Sequence, residues 1–369
     1  MTKTFFDQSP MGYTFDDILL SPSYSDLMSR EDVDLTSEIV DGLEFKIPIM
    51  SSNMNTVTES SMINAMCSIG ATAALHRFMS VDRIIEEIGK IKESIKLFGI
   101  SVGVKTGVID EIFSGISDYE IVDDCNIGFV IVDVAHGDHN LVKIAVNHIK
   151  NNYPKYKLIV GNICTRESAL RLCEMGVAAC KVGVGPGSVC STRIVTGCGF
   201  PQLSAIQEVS SAICDYNELN GTKIKVIADG GIRFSGDIMK CYAAGADFVM
   251  LGSLLAGSKE TPGNVLTIGH SSEKKVKLYE GMASYDAQIN HLNKEKRKMA
   301  AEGVATFVPY KGTVIDIIFN LVCGIKSGFS YCGCRGMKEM HEFGKDPQNW
   351  VRITQNGFYE SMPHGLKVD

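Results

Sequence analysis

The segment Lys181-Val-Gly-Val-Gly-Pro-Gly-Ser-Val-Cys-Ser-Thr-Arg193 holds the side chain with the most chemical promise, Cys190. A thiol that follows three glycines, two of them flanking a proline, can be reached by a substrate with little side-chain obstruction. As a thiolate it is a nucleophile. The competing reading is the ordinary fate of a cysteine, a small apolar side chain that is buried and inert. Two more glycine-bearing segments follow apolar runs in the same manner, Ala228-Asp-Gly-Gly-Ile-Arg233 and Leu251-Gly-Ser-Leu-Leu-Ala-Gly257. Gly230, Gly231, Gly252 and Ser253 offer backbone N–H groups to a phosphate, Ser188 adds a hydroxyl, and Asp229 can accept from a pair of ribose hydroxyls. A single Gly-Gly pair is more often a tight turn. Three such loops beside a thiol fit a phosphorylated nucleoside.

Bringing these loops together is the task of the elements around them. Eight runs read as strands: residues 45–50, 71–75, 97–103, 128–133, 157–161, 178–184, 224–229 and 247–251. Several are continuously apolar, and the gaps have room for helices, as at 168–175 and 236–244. Parallel strands covered on both faces give that pattern, and eight of them close into an α/β (β/α)8 TIM barrel, whose loops at the carboxyl ends of the strands form the site. An open doubly wound sheet is the alternative, disfavoured because no strand leads into a complete dinucleotide fingerprint. The 369 residues exceed the roughly 250 of a plain barrel. The reading is one catalytic domain over 1–369, with a flap insertion after the eighth strand at about 258–310 and a tail at about 345–369. The lysine-rich stretch 290–298 is read as mobile flap or solvated surface helix, and residues 313–326 as the last barrel helix.

Composition narrows the class. Apolar residues make up 45 % and charged residues 21 %, as in an ordinary folded chain. The N-terminus lacks the apolar core of a signal peptide, and no uncharged apolar run reaches membrane-spanning length, so a cytoplasmic protein is expected. The 12 cysteines lie mostly in apolar runs and read as reduced thiols; Cys332 and Cys334 are too close together for a standard zinc half-site. A net charge of −7 and the lack of a dense Lys/Arg block argue against nucleic acid as a partner.

The loops, with Thr14-Phe-Asp-Asp-Ile-Leu-Leu20, Ser52-Asn-Met-Asn-Thr-Val57, Gly161-Asn-Ile-Cys-Thr165, Tyr279-Glu-Gly-Met282, Glu302-Gly303 and Val308-Pro-Tyr-Lys-Gly312, resemble the IMP dehydrogenase and GMP reductase family along nearly the whole chain. The resemblance implies a barrel holding a purine nucleotide, a thiolate that attacks purine C2, and a homotetramer. It makes Cys190, Thr192 and Glu302 the catalytic set. Ser188, Asp229, Gly230, Gly231, Gly252, Ser253, Tyr279, Gly281 and Met282 would hold the nucleotide, and Asn53, Arg77 and Asp133 the cofactor. Gly185, Gly187 and Cys190 would hold potassium.

That family runs one covalent chemistry in two directions. A dehydrogenase removes hydride from IMP to NAD and hydrolyses the resulting thioimidate to XMP; a reductase expels ammonia from GMP and delivers hydride from NADPH to the same carbon. The dehydrogenases resemble one another in a long flap whose Arg-Tyr pair activates water. Here about twenty residues separate Met282 from Glu302, and no Arg-Tyr lies among them. This short flap and Asn53 resemble a reductase, as does the lack of room for a regulatory insertion between the second and third strands, which counts little because a few dehydrogenases also lack it. Arg233-Phe-Ser-Gly-Asp237 and the tail Val351-Arg-Ile-Thr-Gln-Asn-Gly-Phe-Tyr-Glu-Ser361 resemble dehydrogenases, and Lys298-Met299 stands where reductases often have Tyr-Arg. The missing hydrolytic pair weighs most, since it removes a chemical step. The sequence therefore reads as an NADPH-dependent GMP reductase. The alternatives are an NAD-dependent IMP dehydrogenase without the insertion, or a purine-nucleotide-binding barrel without turnover.

Overall fold

Apolar side chains on both faces of a strand need cover on both sides, and here the chain supplies it by closing eight parallel strands on themselves. The structure, a computed structural model, describes residues 9–92, 94, 95, 97–118, 127–269, 273–284 and 300–362. The barrel strands are β1 (Ile49–Ser51), β2 (Thr72–Leu75), β3 (Phe98–Val102), β4 (Ile127–Asp133), β5 (Lys157–Ile163), β6 (Ala179–Val182), β7 (Lys225–Asp229) and β8 (Phe248–Leu251). Each pairs in parallel with the next, and β8 returns to β1 through Val249↔Ile49 and Met250↔Met50. Along β4 the alternation is plain. Phe129 and Ile131 point into the barrel interior with Met50, Ile159, Ile227 and Phe248, whereas Val130 and Val132 join the layer under the helices.

The intervening helices are α1 (Ser60–Ser68), α2 (Val81–Gly89), α3 (Thr106–Asp118), α4 (Asn140–Asn152), α5 (Arg166–Glu174), the short α6 (Thr192–Thr196), α7 (Gln202–Asn220), α8 (Ser235–Ala243) and α9 (Val314–Tyr331). Local chemistry starts several of them: the hydroxyls of Thr165 and Thr313 accept the Ser168 and Asp316 amides as N-caps. By length and composition α9 could cross a membrane. In the fold it is the last barrel helix, with Val314, Ile318, Leu321, Ile325 and Phe329 buried.

The first expected strand, 45–50, splits in two. Leu43–Phe45 pairs antiparallel with Ser37–Val40 in a hairpin, and the barrel strand begins only at Ile49. Pro48 explains the break, because it has no N–H for a ladder and constrains Ile47 before it. The hairpin closes the amino end of the barrel: Ile39, Val40 and Phe45 join the interior cluster, with the Phe45 and Phe248 rings 5.9 Å apart, edge to face.

The insertion after β8 contains an antiparallel sheet that the flap reading did not anticipate, β9 (Leu266–Ile268), β10 (Lys274–Glu280) and β11 (Ala305–Pro309). The alternation in Lys-Lys-Val-Lys-Leu-Tyr-Glu across 274–280 was its only local signal. Residues 290–298, including Arg297 and Lys298, lie outside the described residues. The C-terminal segment is tied back to the chain's start. After Met337–Lys345, a strand at Trp350–Arg352 pairs antiparallel with Ile18–Leu20, and the short helix Gln355–Glu360 follows.

Candidate functional site

A cavity of about 590 Å³ opens at the carboxyl ends of the strands, and every residue assigned above to catalysis, nucleotide, cofactor or potassium lines it. The volume lies in the usual range for small-ligand pockets.

The Cys190 loop leaves β6 through two glycines that no other residue could replace without displacement. At Gly183, φ is +148° and a Cβ would lie 2.0 Å from the Asp229 carbonyl oxygen; at Gly185, φ is +79° and a Cβ would lie 2.5 Å from Arg193 Cγ. The loop then tightens, with the Cys190 amide donating to the Gly187 carbonyl at 3.1 Å. Arg193 braces it by donating to the carbonyls of Val184 and Phe200.

Residues from the insertion dock directly on this loop. The Ser191 amide donates to the Glu302 carbonyl at 2.9 Å, the Val304 amide to Val189 at 3.0 Å, and Cys190 bridges to Gly303. Gly281 allows the approach, since a Cβ there would come 2.7 Å from the Val189 carbonyl oxygen. The docking sets up a chain of polar atoms. Cys190 Sγ lies 3.2 Å from Thr192 Oγ1, which donates to Glu302 Oε2 at 2.8 Å. A proton leaving the thiol thus has a hydroxyl and then a carboxylate in line, an arrangement suited to general acid–base work.

Across the cavity, Gly230 and Gly231 take positive φ angles of 93° and 78° in the turn after β7. The Tyr279 hydroxyl lies over Gly252, where a Cβ would be 3.0 Å away. Burial pushes the Tyr279 phenol above its ordinary range, partly offset by a hydrogen bond with Ser188, so it stays a neutral donor. Met282 Sδ accepts the Asn55 amide at 3.4 Å, joining the loop after β1 to the end of β10. On the remaining wall, Asn53 Nδ2 donates to Ser101 Oγ at 2.9 Å. Arg77 packs its guanidinium 4.3 Å over the Phe78 ring and donates from Nε to the Asp133 carbonyl at 3.1 Å.

Two residues that bind the site together were not singled out from sequence, Lys181 and Asn162. Lys181 Nζ lies 3.0 Å from Asp133 Oδ1 and 2.8 Å from Asp229 Oδ2, and it also donates to Asn162 Oδ1. Asn162 Nδ2 in turn donates to Asp229 Oδ2 at 2.9 Å. Burial works against the Lys181 charge, but Asp229 and Asp133 outweigh it and hold its pKa above the usual lysine value. Burial likewise opposes the Asp133 charge, and Lys181 and Arg77 outweigh it, keeping that carboxyl below its usual range. The available signal was a charge inside the apolar run Ala179-Cys-Lys-Val182. A lysine buried on such a strand must be paired.

Comparison with known proteins agrees with this geometry. A family model described as the IMP dehydrogenase / GMP reductase domain matches residues 12–364. The chain is 33 % identical to the inosine-5'-monophosphate dehydrogenase of Nitrosopumilus maritimus, over 96 % of this chain and 98 % of that protein. It is 34 % identical to the protein of that name from Borreliella burgdorferi, over 96 % of each, and 33 % identical to that of Cryptosporidium parvum, over 97 % of this chain and 96 % of that protein. The first alignment spans 481 positions and the other two 404 and 398. Proteins bearing the dehydrogenase name thus come both with and without a large block of extra residues, so the lack of an insertion here does not mark a reductase.

Proposed function

The chain belongs to the IMP dehydrogenase / GMP reductase family, and from that premise we propose that this oxidoreductase works at C2 of a purine nucleotide in the dehydrogenase direction, converting IMP to XMP. The observation that carries the chemistry is the line Cys190 Sγ, Thr192 Oγ1, Glu302 Oε2 at the cavity wall. The names of the relatives support the direction. They favour the alternative over the GMP reductase reading drawn from the sequence.

In this reading Cys190 attacks C2 as its proton passes through Thr192 to Glu302. Asp229 accepts from the ribose hydroxyls, and the amides of Gly230, Gly231, Gly252 and Ser253 hold the phosphate, with Ser188 beside them. Tyr279, Gly281 and Met282 close over the nucleotide. Loss of hydride from C2 leaves a thioimidate on Cys190, which water must cleave. Once Glu302 has released the first proton to solvent, it is the base, reached through Thr192, that the site offers for that water in place of an Arg-Tyr pair, and Cys190 leaves C2 as the thiolate and is reprotonated along the same line. A dinucleotide, when bound, accepts the hydride. Asn53, Arg77 and Asp133 fit it as a polar wall held by Ser101, Phe78 and Lys181. Arg77 is engaged with Asp133, and the dehydrogenase names of the relatives support NAD as the cofactor. The carbonyls of Gly185, Gly187 and Cys190, on one bend of the loop, are the proposed potassium ligands. The proposal extends to barrel, flap and tail as one catalytic unit, acting as a cytoplasmic homotetramer.

GMP reduction stays as a second reading because of one observation: residues 283–301 contain no Arg-Tyr, and the Thr192–Glu302 pair by itself can protonate a departing amine. The assay separates the two. IMP with NAD should yield XMP without added ammonia, and GMP with NADPH should give no ammonia. Cofactor oxidation and ammonia release from GMP, with no XMP from IMP, would establish the reductase instead.

A further inference from the structure

Lys181 joins opposite walls of the cavity. Its side chain is 3 % exposed, and its single ammonium bridges Asp133 at the end of β4 and Asp229 at the end of β7. Asp133 stands with Asn53 and Arg77, on the wall assigned to the cofactor. Asp229 stands with Gly230, Gly231 and Asn162, on the wall assigned to ribose. Two carboxylates sharing one enclosed site repel each other, and without a cation between them one takes up a proton. The pair is also unequal in its remaining partners. Without Lys181, Asp133 would keep the Arg77 guanidinium, 3.9 Å away, while Asp229 would keep the neutral Asn162 amide and the Tyr279 ring nearby. Asp229 is therefore the group that would protonate.

We propose that Lys181 is a positioning residue for the nucleotide, its charge keeping Asp229 an ionised acceptor for the ribose hydroxyls while anchoring Asp133 on the facing wall. This rests on the purine-nucleotide reading above. The lysine acts through the aspartates and is distinct from the proton relay at Cys190. It explains why a charged residue interrupts an otherwise apolar barrel strand: a methionine of similar length would pack as well there, yet would leave the two acids unbalanced.

The test is IMP binding by calorimetry in a Cys190→Ala background, so that turnover does not intrude, with and without Lys181→Met, at about pH 8 and about pH 6. The ratio of the two dissociation constants at each pH cancels titration of the nucleotide phosphate itself. As pH falls, Asp229 in the Lys181→Met protein should protonate and exchange a charge-assisted hydrogen bond for a neutral one, so the ratio should rise about tenfold. A ratio that stays flat within about twofold overturns the proposal, because a merely structural lysine would lower the melting temperature without a pH-dependent loss of affinity. Should Lys181→Met fail to fold, Lys181→Met/Asp133→Asn removes the repulsion, and its ratio should stay flat within about twofold between the two pH values. A ratio that still rises about tenfold in it, or its own failure to fold, overturns the proposal. A Cys190→Ala parent that binds neither IMP nor GMP is a different result, since it brings down the purine reading and this inference together.

Discussion

Thr192→Val tests the relay with little change in shape, since valine replaces the hydroxyl by a methyl. The hydroxyl makes two contacts, with Cys190 Sγ at 3.2 Å and Glu302 Oε2 at 2.8 Å. Both are lost. The docking of the insertion on the loop does not depend on them, for the Ser191–Glu302 and Val304–Val189 backbone hydrogen bonds remain. Glu302 should therefore stay near its place, and the ribose and phosphate contacts lie in other loops. Removal of a positioned acid–base group typically costs about 10²- to 10⁴-fold in rate, or ~2.7–5.5 kcal/mol of barrier. We expect kcat for IMP oxidation to fall within that range, with KM changed less than about threefold, the pattern for an interaction made in the transition state. Steady-state XMP formation gives both constants, and single-turnover mixing tells whether hydride loss or hydrolysis has slowed. Activity within about threefold of the parent would refute the relay, as would a raised KM with kcat intact, which would make Thr192 a binding residue.

Cys190→Ala should abolish turnover and leave IMP affinity nearly unchanged, because no covalent intermediate forms; residual steady-state activity would remove the cysteine from the mechanism. Asp229→Ala should weaken nucleotide binding by about 1.5–3 kcal/mol, the worth of a charge-assisted hydrogen bond, as read by titration calorimetry. Unchanged affinity would make that aspartate structural. Gly183→Ala should destabilise the fold by about 2–5 kcal/mol in denaturant unfolding, since its Cβ would collide with the Asp229 carbonyl at a positive φ that side chains avoid. A midpoint equal to the parent's would show that β6 and β7 can separate there freely.

Much of the barrel was legible because its causes are local. Runs such as Phe-Val-Ile-Val at 129–132 have no polar face, so they call for cover on both sides, and hydroxyls such as Thr165 start the next helix within a turn. Where a local cause was read too broadly, the reading went astray, as at residues 45–50, where Pro48 ends one ladder and lets another begin. The glycine loops were equally visible. A glycine before a thiol, or a Gly-Gly after a strand, states a steric need wherever the chain folds.

The family followed from those motifs, but the direction of the reaction did not, because it was inferred from a pair of residues missing in a short flap. What only the tertiary structure decided are the contacts between residues far apart in sequence. Glu302 reaches Thr192 across 110 positions because β10 and β11 carry the insertion back over the Cys190 loop. Lys181 meets Asp133 and Asp229 because barrel closure places the ends of β4, β6 and β7 around one mouth. Spacing along the chain has no term for such meetings. A buried charge announces that a partner is needed, since unpaired burial is costly, but the partner's identity depends on which strand ends converge.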